Sequence, residues 1–393
     1  MSGRRGRKEG SIYKRKSDGR WCGVIDCGYS SDGRRMRKVF YGASRAEVAA
    51  KLNKAVHDLS IGLPVITVRH SLSEYLDAWL ADIRHSVRPL TYQQYEGHCR
   101  LYLKPILGMC RLDKLTPHMV RQFVDKMLSR GLSPRTVQLS LVILRHALSQ
   151  AVKDGMIVRN VAKLVQSPRV VRHQPKVFSR EEARRFLAAI RGHRLEALYI
   201  VALTLGLRQG EVLGLSWDAI DFDAGTLTIT QSLERIGGKR YGSPGRLVLV
   251  EPKTAGSRRT LKLPDIALKA LSSHRARQLQ ERFQCGRKWQ DTGLVFTTRH
   301  GTPIEPSDLH AGFKRILADA KLPTLRFHDL RHSAATILLV SGVPLKVIQT
   351  LLGHSTITLT ANTYAHVLPE LLDDCARRMD AAFGDADGLG ASA

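Results

Sequence analysis

The sequence predicts a multidomain, mainly α-helical protein with small β-sheets. An N-terminal three-stranded sheet plus one helix comes first, then a helical bundle, then an α-rich domain holding a small β-sheet insertion. Three observations lead there. Short extended runs broken by Asp-Gly pairs occupy residues 11–41, a pattern that reads as hairpins. From residue 70 apolar side chains recur at helical spacing, as in Leu72, Tyr75, Leu76, Trp79, Leu80 and Ile83. Helix-start signals then repeat along the chain: Ser44 with Glu47, Thr116-Pro117, Ser133-Pro134, and Ser179 with Glu182.

A length of 393 residues suits two or three domains of roughly 100–200 residues each, and the composition places them at 1–62, 70–155 and 175–385. In the first, Ser11–Arg15, Trp21–Cys27 and Arg37–Tyr41 read as strands. Ser17-Asp18-Gly19 and Ser31-Asp32-Gly33 read as the turns between them, and a helix follows from about Ser44 to Leu59. Residues 61–69 read as a linker. The second domain reads as four helices, the later three opening at Thr91, Thr116 and Ser133, the last ending near Gly155. Residues 156–177, with Pro168 and Pro175, read as a second linker. The third domain opens with the Ser179 cap. It is interrupted at 226–262 by expected strands Thr226–Gln231, Arg246–Glu251 and Arg258–Leu263, and the Gly/Ala-rich tail 384–393 is expected to be disordered. No internal repeat is evident.

Charge points to the partner. There are 62 lysines and arginines against 35 acidic residues, a formal net charge of +27. Such an excess seeks a polyanion, usually nucleic acid; a merely lysine- and arginine-rich soluble protein is the plain alternative. The first 60 residues hold fifteen basic against six acidic side chains, so this small sheet reads as a DNA-docking module with Arg4, Arg5, Arg7, Lys14, Arg15, Arg34, Arg35 and Arg37 as contact candidates. Arg135 at the start of the fourth helix, and Arg258 and Arg259, join them. Membrane binding is not expected: no stretch approaches the roughly 18 apolar residues of a span, no basic amphipathic helix stands apart, and the N-terminus lacks the apolar segment of a secretory signal. The six cysteines are scattered without a CxxC pair, so neither a disulfide framework nor a metal site is expected, and no cofactor.

Four clusters could do chemistry. In Thr204–Trp217, Arg208 follows an apolar helical run and Glu211 stands three positions on, which alone reads as a helix-to-helix turn closed by an ion pair. In His328-Asp-Leu-Arg331-His332, His328 and Arg331 share a helix face and can converge on one anion. His328 and His332, one turn apart, also invite a zinc reading. Against it stand Asp in place of the metalloprotease Glu, an adjacent arginine that repels a cation, and the lack of a third ligand. Gly353-His354 is followed ten residues later by Tyr364; a lone tyrosine commonly packs, and a histidine after glycine commonly caps. Finally, Glu251–Arg259 reads as a tight turn between two strands with Lys253 at its tip.

The order and spacing of these clusters, with the segments TLGLRQGE, HDLRHSAAT and LLGHSTI…TANTYAHV, resemble the active site of the tyrosine recombinases of the phage-integrase type, over roughly residues 175–375. One small departure is Ala219, where the family often has Asp. Residues 70–155 resemble the family's core-binding domain, and 11–60 its small arm-binding domains. The resemblance implies a site-specific DNA recombinase that cuts and rejoins DNA through a 3′-phosphotyrosyl bond and a Holliday junction, integrating or excising a mobile element in the cytoplasm of a prokaryotic cell, on its nucleoid. Tyr364 is then the nucleophile, Arg208, Arg331 and His354 the phosphate ligands, His328 the base and Lys253 the acid for the leaving oxygen. Glu211 and His332 support the site. It further implies double-stranded DNA with core and arm sites, a homotetramer on DNA, an excisionase and a DNA-bending host factor. The segment after Tyr364, with Val367, Leu368, Leu371 and Leu372, would dock on a neighbour or pack on its own domain. Rival readings are a DNA-binding regulator that lost the chemistry, a relaxing topoisomerase and the zinc hydrolase.

Overall fold

The computed structural model describes residues 10–29, 35–60, 70–171, 175–238, 243–252 and 258–354, with positions 356, 357, 377, 379 and 380. Two compact units divide between Val171 and Arg172.

At the N-terminus β1 (Ser11–Lys14), β2 (Trp21–Tyr29) and β3 (Arg35–Gly42) form an antiparallel sheet in sequential order. The Ser17-Asp18-Gly19 turn closes where expected, with Gly19 at φ 67° and its N–H on the Arg15 carbonyl at 3.0 Å; the second expected turn, 31–33, lies outside the described residues. Helix α1 (Arg45–Ser60) covers one face. Its cap is the expected one shifted by a residue: Ser44 Oγ accepts from the Glu47 N–H at 3.1 Å, but the Glu47 carboxylate accepts from Ala43 instead of Ser44. Any side chain at Gly23 would lie 2.7 Å from Val48, so glycine lets α1 settle directly on the strands, where Ile25, Val48, Leu52 and Ala55 are buried.

The bundle comprises α2 (Leu72–Ile83), α3 (Pro89–His98), a π-turn at Cys99–Leu103, the short α4 (Lys104–Leu107), α5 (Pro117–Ser129) and α6 (Pro134–Lys153). Ser71, Thr116 and Ser133 cap α2, α5 and α6 through their side chains. The helix expected from Thr91 begins at Pro89, because proline suits a first turn that needs no N–H. One expectation is corrected. Part of the segment 156–177, read as linker, belongs to the bundle: Val161, Ala162 and Val165 are buried in its core. Arg145 donates to the carbonyls of Ala162 and Val165, while Asn160 donates to the Arg145 carbonyl. Local composition hides this, since side chains on α6 hold the segment.

The second unit packs around α8 (Glu196–Leu205), apolar on all sides and almost wholly buried, as a central helix must be. Around it lie α7 (Arg180–Ala189), which carries the expected Ser179–Glu182 capping box, the short α9 (Gln209–Leu213), and, further along, α10 (Asp265–Cys285), α11 (Pro306–Asp319), α12 (Asp329–Val340) and α13 (Leu345–Leu352). Phe186, Tyr199, Phe313 and Phe327 meet edge to face or stacked within the core.

The insertion departs from expectation. It holds two sheets: β4 (Ile220–Asp221), β5 (Thr226–Ile229) and β8 (Arg259–Lys262) in the order β4-β5-β8, and a hairpin of β6 (Ser232–Gly238) with β7 (Ser243–Val250). Strand β6 was not anticipated, because two glycines and two charges break its apolar alternation. Consequently β7 and β8 do not pair as a hairpin; each pairs elsewhere, and Lys253 itself lies outside the described residues. Among the described residues no helix is long and apolar enough to cross a membrane.

Candidate active site

Helix α8 stops at Gly206, which takes a left-handed φ of 61°. A Cβ there would lie 2.7 Å from Leu352, so the glycine both ends the helix and admits α13. The next turn places Arg208 at the N-cap of α9 in an extended conformation. Its N–H donates to Glu211 Oε2 at 2.9 Å and its Nη1 to Oε1 at 2.7 Å. The expected Arg208–Glu211 pair exists, and it is at once an ion pair and a helix cap.

Arg331 lies in the first turn of α12, whose start is tied down by Asp329 accepting from the Arg326 N–H at 2.7 Å. Only 2 % of Arg331 is exposed. A cation this deep needs compensation, and two helix ends supply it: Nη1 donates to the Gly206 carbonyl and Nη2 to the Leu352 carbonyl, each at 2.7 Å. Arg208 Nη2 donates to the next carbonyl, Gly353, at 2.9 Å. Last-turn carbonyls lack intrahelical donors and carry the negative end of the helix dipole. The C-termini of α8 and α13 therefore hold both guanidinium groups. Gly353, left-handed at φ 64°, ends α13, and His354 follows with its N–H on the Gln349 carbonyl at 3.1 Å.

Arg259 completes the cluster and corrects a sequence expectation. Expected to face DNA, its side chain is 7 % exposed and its guanidinium lies on both carboxylate oxygens of Glu211 and on the Leu351 carbonyl. Burial alone would raise the Glu211 carboxyl; the hydrogen bonds and charges of Arg259 and Arg208 outweigh it and hold the group below its ordinary value. Arg208 and Arg259 thus share one carboxylate while Arg331 holds the Leu352 carbonyl next to the one that binds Arg208, and this excess of positive charge can bind an anion through Arg208, whose side chain remains 39 % exposed.

The three histidines of the site, His328, His332 and His354, are all held below their ordinary value. The rings of His328 and His332 meet edge to face at 5.2 Å. His332 is pushed down to about 4 by burial and then by His328. Burial followed by the charges of Arg331 and Arg208 takes His354 to about 4, and His328 is lowered by burial and Arg331. Among the described residues no group of three His, Cys, Asp or Glu side chains is placed to hold a metal ion. A pH dependence follows. Groups with a folded pKa below the unfolded one bind fewer protons when folded, so their contribution to stability is present above pH 6.5 and lost as pH falls towards 4. The thermal unfolding midpoint is expected to fall over that window, and replacing His332 and His354 with Gln should flatten the fall; an unchanged slope would contradict the assignment.

The structure thus gathers Arg208, Glu211, His328, Arg331, His332 and His354 from separate stretches of chain. Lys253 and Tyr364 lie outside the described residues, as do Val367, Leu368, Leu371, Leu372, Arg4, Arg5, Arg7 and Arg34. Lys14, Arg15, Arg35, Arg37, Arg135 and Arg258 are exposed; Arg35 Nε donates to Asp26 at 2.5 Å, and Arg15 stacks 5.9 Å over Tyr41. The sequence reading passed over Tyr13, Val39 and Tyr41, 49 %, 40 % and 47 % exposed on the sheet. The alternation Arg37-Val39-Tyr41 on β3 was the available signal.

The chain is similar to known proteins over most of its length. Residues 176–370 match the phage integrase family and residues 71–128 the phage integrase N-terminal SAM-like domain. A tyrosine recombinase XerC-like protein of Caldanaerobacter subterraneus subsp. tengcongensis is 33% identical over 365 residues, covering 88% of this chain and 92% of that protein. The solved Tn1549 transposon integrase in complex with a circular intermediate DNA shares the fold, with a TM-score of 0.65 at 22% identity over 78% of this chain and 99% of that one. A lambda integrase tetramer bound to a Holliday junction superposes with a TM-score of 0.55 at 16% identity, covering 92% and 96%.

Proposed function

Because this chain belongs to the phage integrase family of tyrosine recombinases, we propose that it is an integrase that cleaves and rejoins DNA at specific sites through Tyr364. The convergence of Arg208, Arg331 and His354 at the C-terminal ends of α8 and α13 carries the reading, since paired guanidinium groups suit the non-bridging oxygens of a phosphodiester.

The chemistry balances without metal or nucleotide. Tyr364 Oη bonds to the scissile phosphorus while the bond to the 5′ oxygen breaks, giving a 3′-phosphotyrosyl ester and a free 5′ hydroxyl. Neutral at pH 7, His328 accepts the tyrosyl proton, and Lys253 donates a proton to the departing oxygen. Arg208 and Arg331 supply guanidinium charge to the phosphate, and the neutral His354 adds one N–H donor. Each such donor typically contributes about 10²–10³ in rate. Attack by a 5′ hydroxyl from a partner duplex reverses the step and exchanges strands through a Holliday junction. Four protomers on two DNA sites would do this, as the lambda integrase tetramer on such a junction supports. Covalent capture on a nicked duplex carrying inverted repeats from DNA flanking the gene tests the assignment.

The bundle, extended to about Ser167, acts as the core-binding domain and residues 175–385 as the catalytic domain. Residues 1–62 form an arm-type module that reads DNA with the sheet face opposite α1, where Tyr13, Val39 and Tyr41 stand among Arg15 and Arg37. A second DNA-binding surface lets one protomer bridge two sites at high effective concentration, with an excisionase and a bending protein setting direction on the nucleoid of a prokaryotic cytoplasm. Deleting residues 1–62 should leave core-site cleavage within about twofold yet reduce integration by 10²-fold or more, the lower end of avidity gains. Normal integration by the truncated protein would refute the arm-site role.

A further inference from the structure

Arg259 opens β8, adjacent to Arg258, and differs from it entirely in surroundings. Arg258 faces solvent. The Arg259 guanidinium instead joins three stretches of chain remote in sequence. Its Nη1 and Nη2 donate to the two carboxylate oxygens of Glu211 at 3.1 and 2.9 Å, and its Nε donates to the Leu351 carbonyl at 2.9 Å. The fit is close: a Cβ on Gly353 would lie 3.0 Å from Arg259 Nη1, at a φ of 64° that already favours glycine.

Each contact fixes a partner of the phosphate site. Glu211 is 5 % exposed and holds Arg208 through its side chain and backbone. Two donors from Arg259, one on each oxygen, set the plane of that carboxylate and hence the direction of the Arg208 guanidinium. The hold on Leu351 fixes the last turn of α13, from which His354 emerges. Lysine offers a single ammonium in place of a planar fork, and cannot span all three acceptors in this geometry.

We infer that Arg259 is a positioning residue for strand cleavage: without touching DNA it keeps the Arg208–Glu211 turn and the Gly353–His354 turn in register, so that both serve one phosphate. The inference rests on the reading of Arg208 and His354 as phosphate ligands. Misplacement of such groups by about 1 Å can slow a reaction about 10²-fold.

The test uses the full chain and a nicked duplex carrying the inverted repeats that flank the gene, with Arg259→Lys, Arg259→Gln, Glu211→Gln, the Arg259→Lys/Glu211→Gln double variant and Tyr364→Phe. Arg259→Lys should bind the duplex with the affinity of the parent protein and unfold at a similar temperature, yet cleave about 10²-fold more slowly. The double variant should be no slower than its slower single, since both substitutions act through one carboxylate. Cleavage at the parent rate, a matching loss of duplex affinity, or losses that multiply in the double variant would each overturn the inference. So would failure of both Arg259→Lys and Arg259→Gln to fold, which would make Arg259 a folding residue. Covalent capture by Tyr364→Phe would instead sink the reading of the site itself; a dead Tyr364→Phe beside an unimpaired Arg259→Lys sinks this inference alone.

Discussion

Tyr364→Phe is expected to abolish covalent capture of nicked core-site DNA while leaving affinity for the duplex unchanged. The substitution removes one hydroxyl and no apolar surface, so neither folding nor the arginine cluster should respond. What disappears is the atom that bonds to phosphorus, and removal of a nucleophile in a cooperative site typically lowers rate by about 10⁶, beyond detection in a capture gel. Denaturing electrophoresis after incubation with suicide substrate reads the result. Capture at even a tenth of the parent level would exclude Tyr364 as the nucleophile and direct the search to another hydroxyl near Arg208.

Arg331→Ala should fail in two ways at once. The side chain is 2 % exposed and donates to the carbonyls of Gly206 and Leu352; deleting it leaves two buried acceptors unpaired and a cavity between α8, α12 and α13. Each stranded acceptor costs about 1–3 kcal/mol, so an overall loss of about 2–6 kcal/mol is expected by urea unfolding. Cleavage should fall by about 10²–10³ beyond any loss of folded protein, as for removal of one preorganised donor. Capture at low temperature, where the variant remains folded, separates the two effects. A variant folded like its parent and cleaving at an equal rate would show that Arg331 serves neither purpose. Arg208→Ala makes the contrast: its partly exposed side chain leaves room for water, so activity should suffer far more than stability.

Much of this was open to sequence reasoning because the deciding interactions are short in range. Thr116, Ser133 and Ser179 announce helix starts through bonds from N–H groups three positions on. The Arg208–Glu211 pair is legible for the same reason. Ordered motifs then pointed to a shared site through resemblance, although nothing local says that Gly206, Arg331 and Leu352 meet.

The misreadings share one cause. Strand β6 exists because β7 pairs with it, not because its own residues favour extension. Val161 and Val165 look like linker until Arg145, on α6, is seen to hold their segment against the bundle. Arg259 reads as a surface cation from its neighbours in sequence, and only the approach of Glu211 and α13 makes it a buried clamp. His354 near pKa 4 likewise depends on burial and on arginines more than 20 residues away.

Periodicity, caps and charge excess specify helices, their ends and a polyanionic partner, because those signals act within a few residues of chain. Strand pairing, the burial of Arg259 and Arg331 and the lowered pKa of the site histidines are properties of packing. They arise when helix C-termini and distant cations are brought into one low-dielectric space, where unpaired charge is too costly to persist.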